Sequence, residues 1–441
     1  MPFASTAGTG LDHWPAATEG PAISREASTS PPDPAGRPTL VPAAPAATFA
    51  EVFAVGEFRA LWLAQVLSVA GDQLARVALT LLVFYRTGSS LLAAVTFAAS
   101  IVPTFVGGIT LSGLADRWPR RRVMIVCDLS RALLVAIMAL PGVPVAGLVG
   151  LLILVTLISA PFSSARAALY PDILAGDRYV VGTAVTLITF QFALVLGFAV
   201  GGAVVGFFGA RTSFLVDAVT FTVSAMIIRI WVQARPAARA ASRPRAESHT
   251  GPLTAIRLAF TDPALRTPML FAWLAAFYNV PGGVSAPLAA SLGGGAVATG
   301  LILASQALGA SVGFFAFSRL VAPPRRLRWM GPLAVTACAV LLAFVFHPPL
   351  PVALAVLGLS GLFDCYQLAA NAAFVRAAPA RHRSSAFGVA QSGMSLGQGA
   401  AMIAAGAAAQ VRSPSDVIAA SGAIGALCGM VIVASRRRAD G

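Results

Sequence analysis

From Leu61 onward the chain alternates long apolar runs with short polar joints. Runs long enough to span the hydrocarbon of a bilayer as a helix, about 20 residues, begin near Leu61, Leu91, Val123, Val145, Val181, Ser213, Thr267, Thr299, Trp329, Pro351, Ala386 and Ser415. Only one joint is long, QARPAARAASRPRAESHTGPLTAIRLAFTDPALR, and it divides the runs six and six. Within it LTAIRLAF has the pattern of an amphipathic surface helix. The pattern predicts an all-α integral membrane protein of twelve transmembrane helices in two six-helix bundles. Residues 51–232 would form the N-terminal bundle, 233–265 a cytoplasmic linker, and 266–441 the C-terminal bundle with a short basic tail. Residues 1–50, rich in Ala, Pro, Ser, Thr and Gly without a continuous apolar run, read as a disordered cytoplasmic tail and not as a secretory signal.

Composition sharpens this picture. Hydrophobic residues make up 57% of the chain and charged residues 11%, whereas a soluble domain is about a quarter charged. A large soluble core is excluded. The formal net charge is +14, with 31 basic residues against 17 acidic, and every basic residue is arginine. A basic excess suits nucleic acid, but the arginines are placed by topology. Joints on one side carry Arg117, Arg120, Arg121 and Arg122; Arg166 and Arg178; Arg235, Arg239, Arg243, Arg245 and Arg257; Arg325, Arg326 and Arg328; Arg376, Arg381 and Arg383. The opposite joints carry only Arg86, Arg211 and Arg412. This asymmetry predicts a multi-pass protein of the inner (cytoplasmic) membrane with both termini inside, with no nucleic-acid partner.

The two halves echo one another. DRWPRRRVM follows run two and PPRRLRWMG follows run eight; SARAALYPDILAGDR follows run four and NAAFVRAAPARHR follows run ten. Six plus six with such echoes marks a duplicated transporter. In LADRWPRRR, residues Leu114, Ala115, Asp116, Arg117, Arg120 and Arg121 match the pattern G-x-L-A-D-R-x-G-R-R, with Ser112 and Pro119 in the two glycine positions. This resembles the loop between helices two and three of the major facilitator superfamily. Asp128, Arg131 and GDQLARVALTLLVFYRTGS in run one further resemble the bacterial exporter branch that includes siderophore and macrolide efflux proteins. The resemblance implies alternating access, with Asp116 latching the halves together among Arg117, Arg120, Arg121, Asp128 and Arg131. The arginines can equally serve topology alone. LGFAVGG in run five is similar to the antiporter pattern, but Phe198 stands where that pattern has proline.

Ionisable groups inside a membrane are functional candidates by default. In run one Gln65, Asp72 and Arg76 fall within roughly 40° on a helical wheel, with Ser68 close by. Asp72 and Arg76 are spaced to pair along the helix. Run ten repeats the design with Ser360, Asp364, Gln367 and Asn371, and run eleven adds Gln391, Ser395 and Gln398. Such stripes should face water, and the resemblance places runs one, four, seven and ten around the pathway. Asp72 and Asp364 are the candidate proton-coupling residues. Gln65, Arg76, Trp273, Tyr278, Asn279, Gln367 and Asn371 are the candidate substrate-cavity residues, with Phe271 and Phe277 as further aromatic surface. Asp217 reads as an anchor near the outer surface of a peripheral helix.

Glycine pairs four apart, Gly197/Gly201 and Gly202/Gly206 in run five, Gly309/Gly313 in run eight and Gly393/Gly397 in run eleven, with Gly108/Ser112 near the end of run two, allow close helix approach. The resemblance sets these runs between the halves. There is no Walker-type GxxxxGK[ST] and no HExxH; the four histidines lie outside the apolar runs and the four cysteines lack paired spacing. No catalytic residue, metal or cofactor is expected, and the chain does not read as an enzyme. The sequence supports a monomeric secondary active transporter in the lipid bilayer, exporting a small organic molecule (drug, secondary metabolite or siderophore) against protons. Alternatives are an importer of a small metabolite and a non-coupled protein such as a lipid scramblase on the same fold.

Overall fold

Each of the twelve apolar runs is helical at its expected start. The computed structural model describes residues 48–111, 118–235, 252–379 and 383–440. The expected tail up to residue 47, Asp116 and Arg117 of the expected latch, and the middle of the linker lie outside the described residues. In chain order the helices are α1 (Phe49–Ala54), α2 (Gly56–Thr87), α3 (Ser90–Ala99), α4 (Val102–Thr110), α5 (Arg120–Met138), α6 (Val145–Ile173) and α7 (Asp177–Trp231). After the linker come α8 (Pro252–Thr261), α9 (Pro263–Trp273), the short α10 (Ala275–Tyr278), α11 (Val280–Gly283) and α12 (Ser285–Ser291), then α13 (Ala296–Leu320) and α14 (Pro323–Ala339). A 3-10 turn over Val340–Phe346 leads to α15 (Leu350–Phe363), α16 (Tyr366–Ala377), α17 (Arg383–Ala408) and α18 (Pro414–Asp440). The regular structure of the described residues is entirely helical.

Among the described residues, seven helices are long and apolar enough to cross a membrane, and eight if the bent stretch Pro263–Gly283 plus Ser285–Ser291 is one span. Several runs are broken, charged or merged for local reasons. Run two is broken at Ser100–Ile101, two residues before Pro103. Run three, α5, carries Arg120, Arg121, Arg122, Asp128 and Arg131 in 19 residues. Runs five and six are merged in the 55-residue α7, whose Gly209 has φ 81° and ψ 168°. That is a left-handed, non-helical backbone open to glycine, so α7 consists of two helices meeting at Gly209.

Run seven is fragmented into α9–α12, in the sequence AAFYNVPGGVSAP. A proline lacks the N–H of the helical ladder and crowds the carbonyl four residues back; Pro281 and Pro287 fall here, and the axis bends by 48°. Run ten breaks between α15 and α16, at Asp364 and Cys365. Backbone that departs from a regular helix at membrane depth is tolerated where protein or a cavity covers it; both breaks lie beside the cavity described below.

The helices pack as two sets. In the first, α2 lies along α7, and α5 packs on α6 and α7. In the second, α13 lies on α15, α14 on α18 and α9 on α16. Separate apolar cores fill each set: one around Met124, Phe162 and Tyr170 and one around Phe214 and Phe221 in the first, and one around Phe271, Tyr366 and Phe344 in the second. A further core, with Leu81, Phe97, Phe198, Leu303 and Met402, is built from both.

Candidate functional site

Two polar centres lie inside the helices. The first is in the first set and centres on Arg131. Eleven residues after Arg120, it sits roughly 16 Å along the α5 axis, and it is 2% exposed. Its guanidinium is 2.5 Å from Asp72 Oδ1 of α2 and 3.7 Å from Asp128 Oδ1 on its own helix. It donates to Ser68 Oγ at 3.2 Å and stacks on Phe221 with its Cζ 3.9 Å from the ring centre. Asp128, fully buried, also accepts from Ser224 Oγ at 2.6 Å. Asp217 of α7, 1% exposed, lines a cavity of about 70 Å³ together with Asp72, Arg76 and Arg131. Its Oδ1 is 3.3 Å from Thr220 Oγ1, and its Oδ2 has no hydrogen-bond partner among the described residues. A buried charge is costly unless paired and hydrogen-bonded, which accounts for the density of contacts on Arg131.

This geometry corrects three expectations. Asp72 pairs with Arg131 and not with Arg76; Arg76 donates to the Ser100 carbonyl at 3.4 Å and lies 5.7 Å over Phe97. The reason is burial: Arg131 is enclosed on every side and its carboxylate partners close around it. Asp128 and Arg131, expected at the latch, belong instead to this interior cluster. Asp217, expected near the outer surface, is packed against Gly71 of α2, where an added Cβ would lie 3.2 Å from its Cγ.

Of the other residues expected at the latch, Arg120 and Arg121 bond within the first set. Arg120 donates to the Ala168 carbonyl at 2.8 Å and pairs with Asp172 at 2.5 Å, and Arg121 donates to the Arg229 carbonyl. Asp172 is 40% exposed, and exposed pairs contribute up to about 1 kcal/mol. Asp172→Asn is therefore expected to lower stability by no more than about 1 kcal/mol, read by thermal unfolding in detergent. A loss several times larger would make this pair a structural keystone.

The second polar centre is in the second set, at the two helix breaks. Tyr278 donates to Asp364 Oδ1, Gln367 Nε2 donates to Tyr278 Oη at 3.0 Å, and Tyr366 Oη donates to the Phe271 carbonyl at 3.0 Å. Gln306 Nε2 of α13 reaches the Tyr278 carbonyl at 2.8 Å and Asn279 Oδ1 at 3.2 Å. The unwound turn thus presents carbonyls and side chains that a regular helix would hide.

Between the sets is a cavity of about 280 Å³ lined by Arg76, Phe97, Gln191 and Phe198 from the first and Asn279, Gln306, Phe314, Asp364, Gln398 and Met402 from the second. Of the expected cavity residues, Arg76 and Asn279 line it, and so does Asp364. Gln367 and Asn371 line a different cavity, about 220 Å³, with Gln391 and Phe387. Tyr278 is buried behind Asp364. Trp273 packs on Gly393 and donates to the Ala390 carbonyl at 2.9 Å. Gln65 is enclosed within the first set, accepting from Tyr170 Oη at 3.3 Å. Phe271 is fully buried, and Phe277 is packed against the second set's core. Gln191 and Gln306 had escaped the sequence reading; each is an amide within an apolar run, the same signal that marked Gln398.

The close contacts joining the sets lie toward the end away from the arginine-rich turns. A Cβ on Gly202 of α7 would come 2.7 Å from the Ala296 carbonyl oxygen and 2.8 Å from Gly300 Cα of α13. Gly399 and Gly406 of α17 face Val102 and Ser90–Leu91 in the same way, and Gln410 Nε2 donates to Ser89 Oγ at 2.6 Å. Of the expected seam glycines, Gly202 and Gly206 meet the other set. Gly197 and Gly201 pack on Gln73 and Leu74, Gly309 and Gly313 on Gly358 and Leu362, and Gly393 and Gly397 on Trp273 and Ala276, all within their own sets. Residue spacing sets how closely a helix can be approached, but not by which neighbour. Gly108 and Ser112 carry no described side-chain environment.

A bundle of broken and unbroken apolar helices, split into two sets around a polar cavity, defines a membrane transporter of the secondary type. The chain belongs to the Major Facilitator Superfamily, whose family model matches residues 61–288. Its fold is similar to that of the nucleoside transporter NupG, at 15% identity and a TM-score of 0.66, over 85% of this chain and 99% of that one. It is also similar to the POT family transporter PepTSo, at 13% identity and 0.67, over 87% and 98%. A bacterial homolog of the human lysosomal transporter Spinster, in an inward-facing and occupied conformation, aligns at 15% identity and 0.62, over 86% and 93%. No curated protein sequence matches this chain.

Proposed function

We propose that this transporter is a proton-coupled exporter of a small organic molecule, with twelve crossings in two six-helix bundles and both termini on the cytoplasmic side of the inner membrane. The observation that carries the reading is the cavity lined by charged and amide side chains from both sets, sealed at one end by glycine contacts. With the arginine-rich turns inside, the sealed end faces outward, a state that export and import share in alternating access, so the direction of transport is taken from the sequence resemblance. The exporter branch is further supported by Asp128, Arg131 and the stretch GDQLARVALTLLVFYRTGS of run one.

Coupling is assigned to the Arg131 cluster, with Asp72 as proton carrier. Asp72 is its partly accessible carboxylate, 30% exposed against 0% for Asp128. Arg76 lines both the small cavity and the central one, so a change in the charge of Asp72 is felt at the cavity wall. When Asp72 takes a proton, Arg131 retains Asp128 as its partner, 3.7 Å away. A small movement of α2 against α5 follows from this exchange, and α2 carries Arg76 of the central cavity with it. Asp364 is the alternative carrier.

The test is purified protein in liposomes with an imposed pH gradient, screened against amphipathic cations, macrolide-like compounds and siderophores. Asp72→Asn is expected to keep substrate exchange while losing accumulation driven by the gradient. Full coupling in Asp72→Asn with loss in Asp364→Asn moves the proton site to the second set. Full coupling in both removes the assignment from both carboxylates.

A further inference from the structure

We infer that the central cavity is built for a zwitterion, with Arg76 receiving its anionic group and Asp364 its ammonium group; this rests on the transport reading above and narrows its substrate class. Among the described residues lining the cavity, these two alone are charged, and they come from opposite sets of helices. Neither forms an ion pair among the described residues. In the Arg131 cluster the opposite holds: Asp72, Asp128 and Arg131 are closed on one another. An intramembrane charge outside an ion pair is costly, and a cavity that keeps two of opposite sign apart offers both to a ligand.

The state of each side chain fits this use. Arg76 is half-buried, its Nε has no partner, and its one described hydrogen bond is a long one, 3.4 Å, to the Ser100 carbonyl. Three of its five donor hydrogens or more remain for a carboxylate, which guanidinium binds in a bidentate manner. Asp364 is held from behind by Tyr278, which Gln367 in turn orients. The carboxylate is thereby fixed in position with no cation at its side. Amides of Gln306 and Gln398 and the rings of Phe97, Phe198 and Phe314 make up the walls between. That composition suits a molecule with an aromatic body and a charge at each end. At about 280 Å³ the cavity lies just below the range of drug-binding clefts, about 300–1,000 Å³.

The probe is norfloxacin, an aromatic zwitterion, compared with its ethyl ester, which keeps only the cation, and its N-acetyl derivative, which keeps only the anion. Binding is measured by microscale thermophoresis on the full chain in detergent, without a gradient. Hydrogen bonds to charged groups contribute about 1.5–3 kcal/mol, so wild type is expected to bind the zwitterion about 10–100-fold more tightly than either derivative. In Arg76→Gln the advantage over the ester is expected to vanish while that over the N-acetyl compound persists. Asp364→Asn should show the reverse, and Arg76→Lys should retain part of the preference. The variants are checked for wild-type unfolding temperatures, and the ratio between ligands on one variant is independent of how much protein is folded. No saturable binding of norfloxacin, no zwitterion preference in wild type, or a preference unmoved by both variants overturns the inference. If singly charged compounds are still accumulated under a pH gradient, the zwitterion inference falls while the transport reading stands.

Discussion

Arg131→Met is expected to lower the stability of the protein by about 3–5 kcal/mol, the usual cost of removing one member of a buried charge group. The substitution leaves Asp128 fully buried without its cation, and takes from Asp72 a partner at 2.5 Å. It also removes the guanidinium from Phe221, a contact at 3.9 Å. Thermal unfolding in detergent reads the loss. Replacing the acids as well, in Asp72→Asn/Asp128→Asn/Arg131→Met, is expected to recover a good part of it, because neutral groups in the same space no longer need a counter-charge. A single variant that unfolds at the wild-type temperature would show that Arg131 is not the counter-charge of this interior.

Gly202→Leu is expected to hold the sealed end open. A side chain at this position runs into the Ala296 carbonyl and the Gly300 backbone. Neither is the movable end of a side chain, so the helices must separate. Overpacking of this kind costs about 1–3 kcal/mol, which shifts the balance between sealed and open forms by about 10–100-fold. A cysteine at Ser89 or Gln410, whose side chains bond across this seam, should then react with an impermeant thiol reagent much faster than in the parent protein. Gly201→Leu provides the contrast: it presses on Leu74 of its own set, and should destabilise without altering that reactivity. Equal labelling in both variants and the parent would mean that the α7–α13 contact is not the seal.

The apolar runs were legible because bilayer thickness fixes their length, and every one proved helical where it was expected to begin. What periodicity on one helix could not reveal is the partner on the next. Asp72 and Arg76 are spaced to pair, yet Arg131 of another helix is the more deeply enclosed cation and takes Asp72. Arg131 itself was within reach of the sequence. It lies three residues from Asp128, about 60° around the same helix, and both fall inside an apolar run, where charges are rare. Reading them as an extension of the arginine-rich loop hid that signal. Asp217 was discounted for belonging to a peripheral helix, but the face it occupies is turned toward Gly71, whose missing side chain makes room for it. Gln65 and Arg76 share a stripe, yet one packs inside its own bundle and the other reaches the cavity, because α2 is in contact with different neighbours along its 32 residues.

The sealed end has a consequence for the conditions under which the protein works. Among the described residues no ion pair joins the two sets: each salt bridge is internal to one of them. The seam is made of glycine against backbone, an apolar core and one hydrogen bond between uncharged side chains. Mobile ions weaken attraction between exposed charges beyond about 10 Å at 0.1 M, and this closure offers them nothing to screen. Opening at that end is therefore indifferent to the ionic strength of the medium it faces.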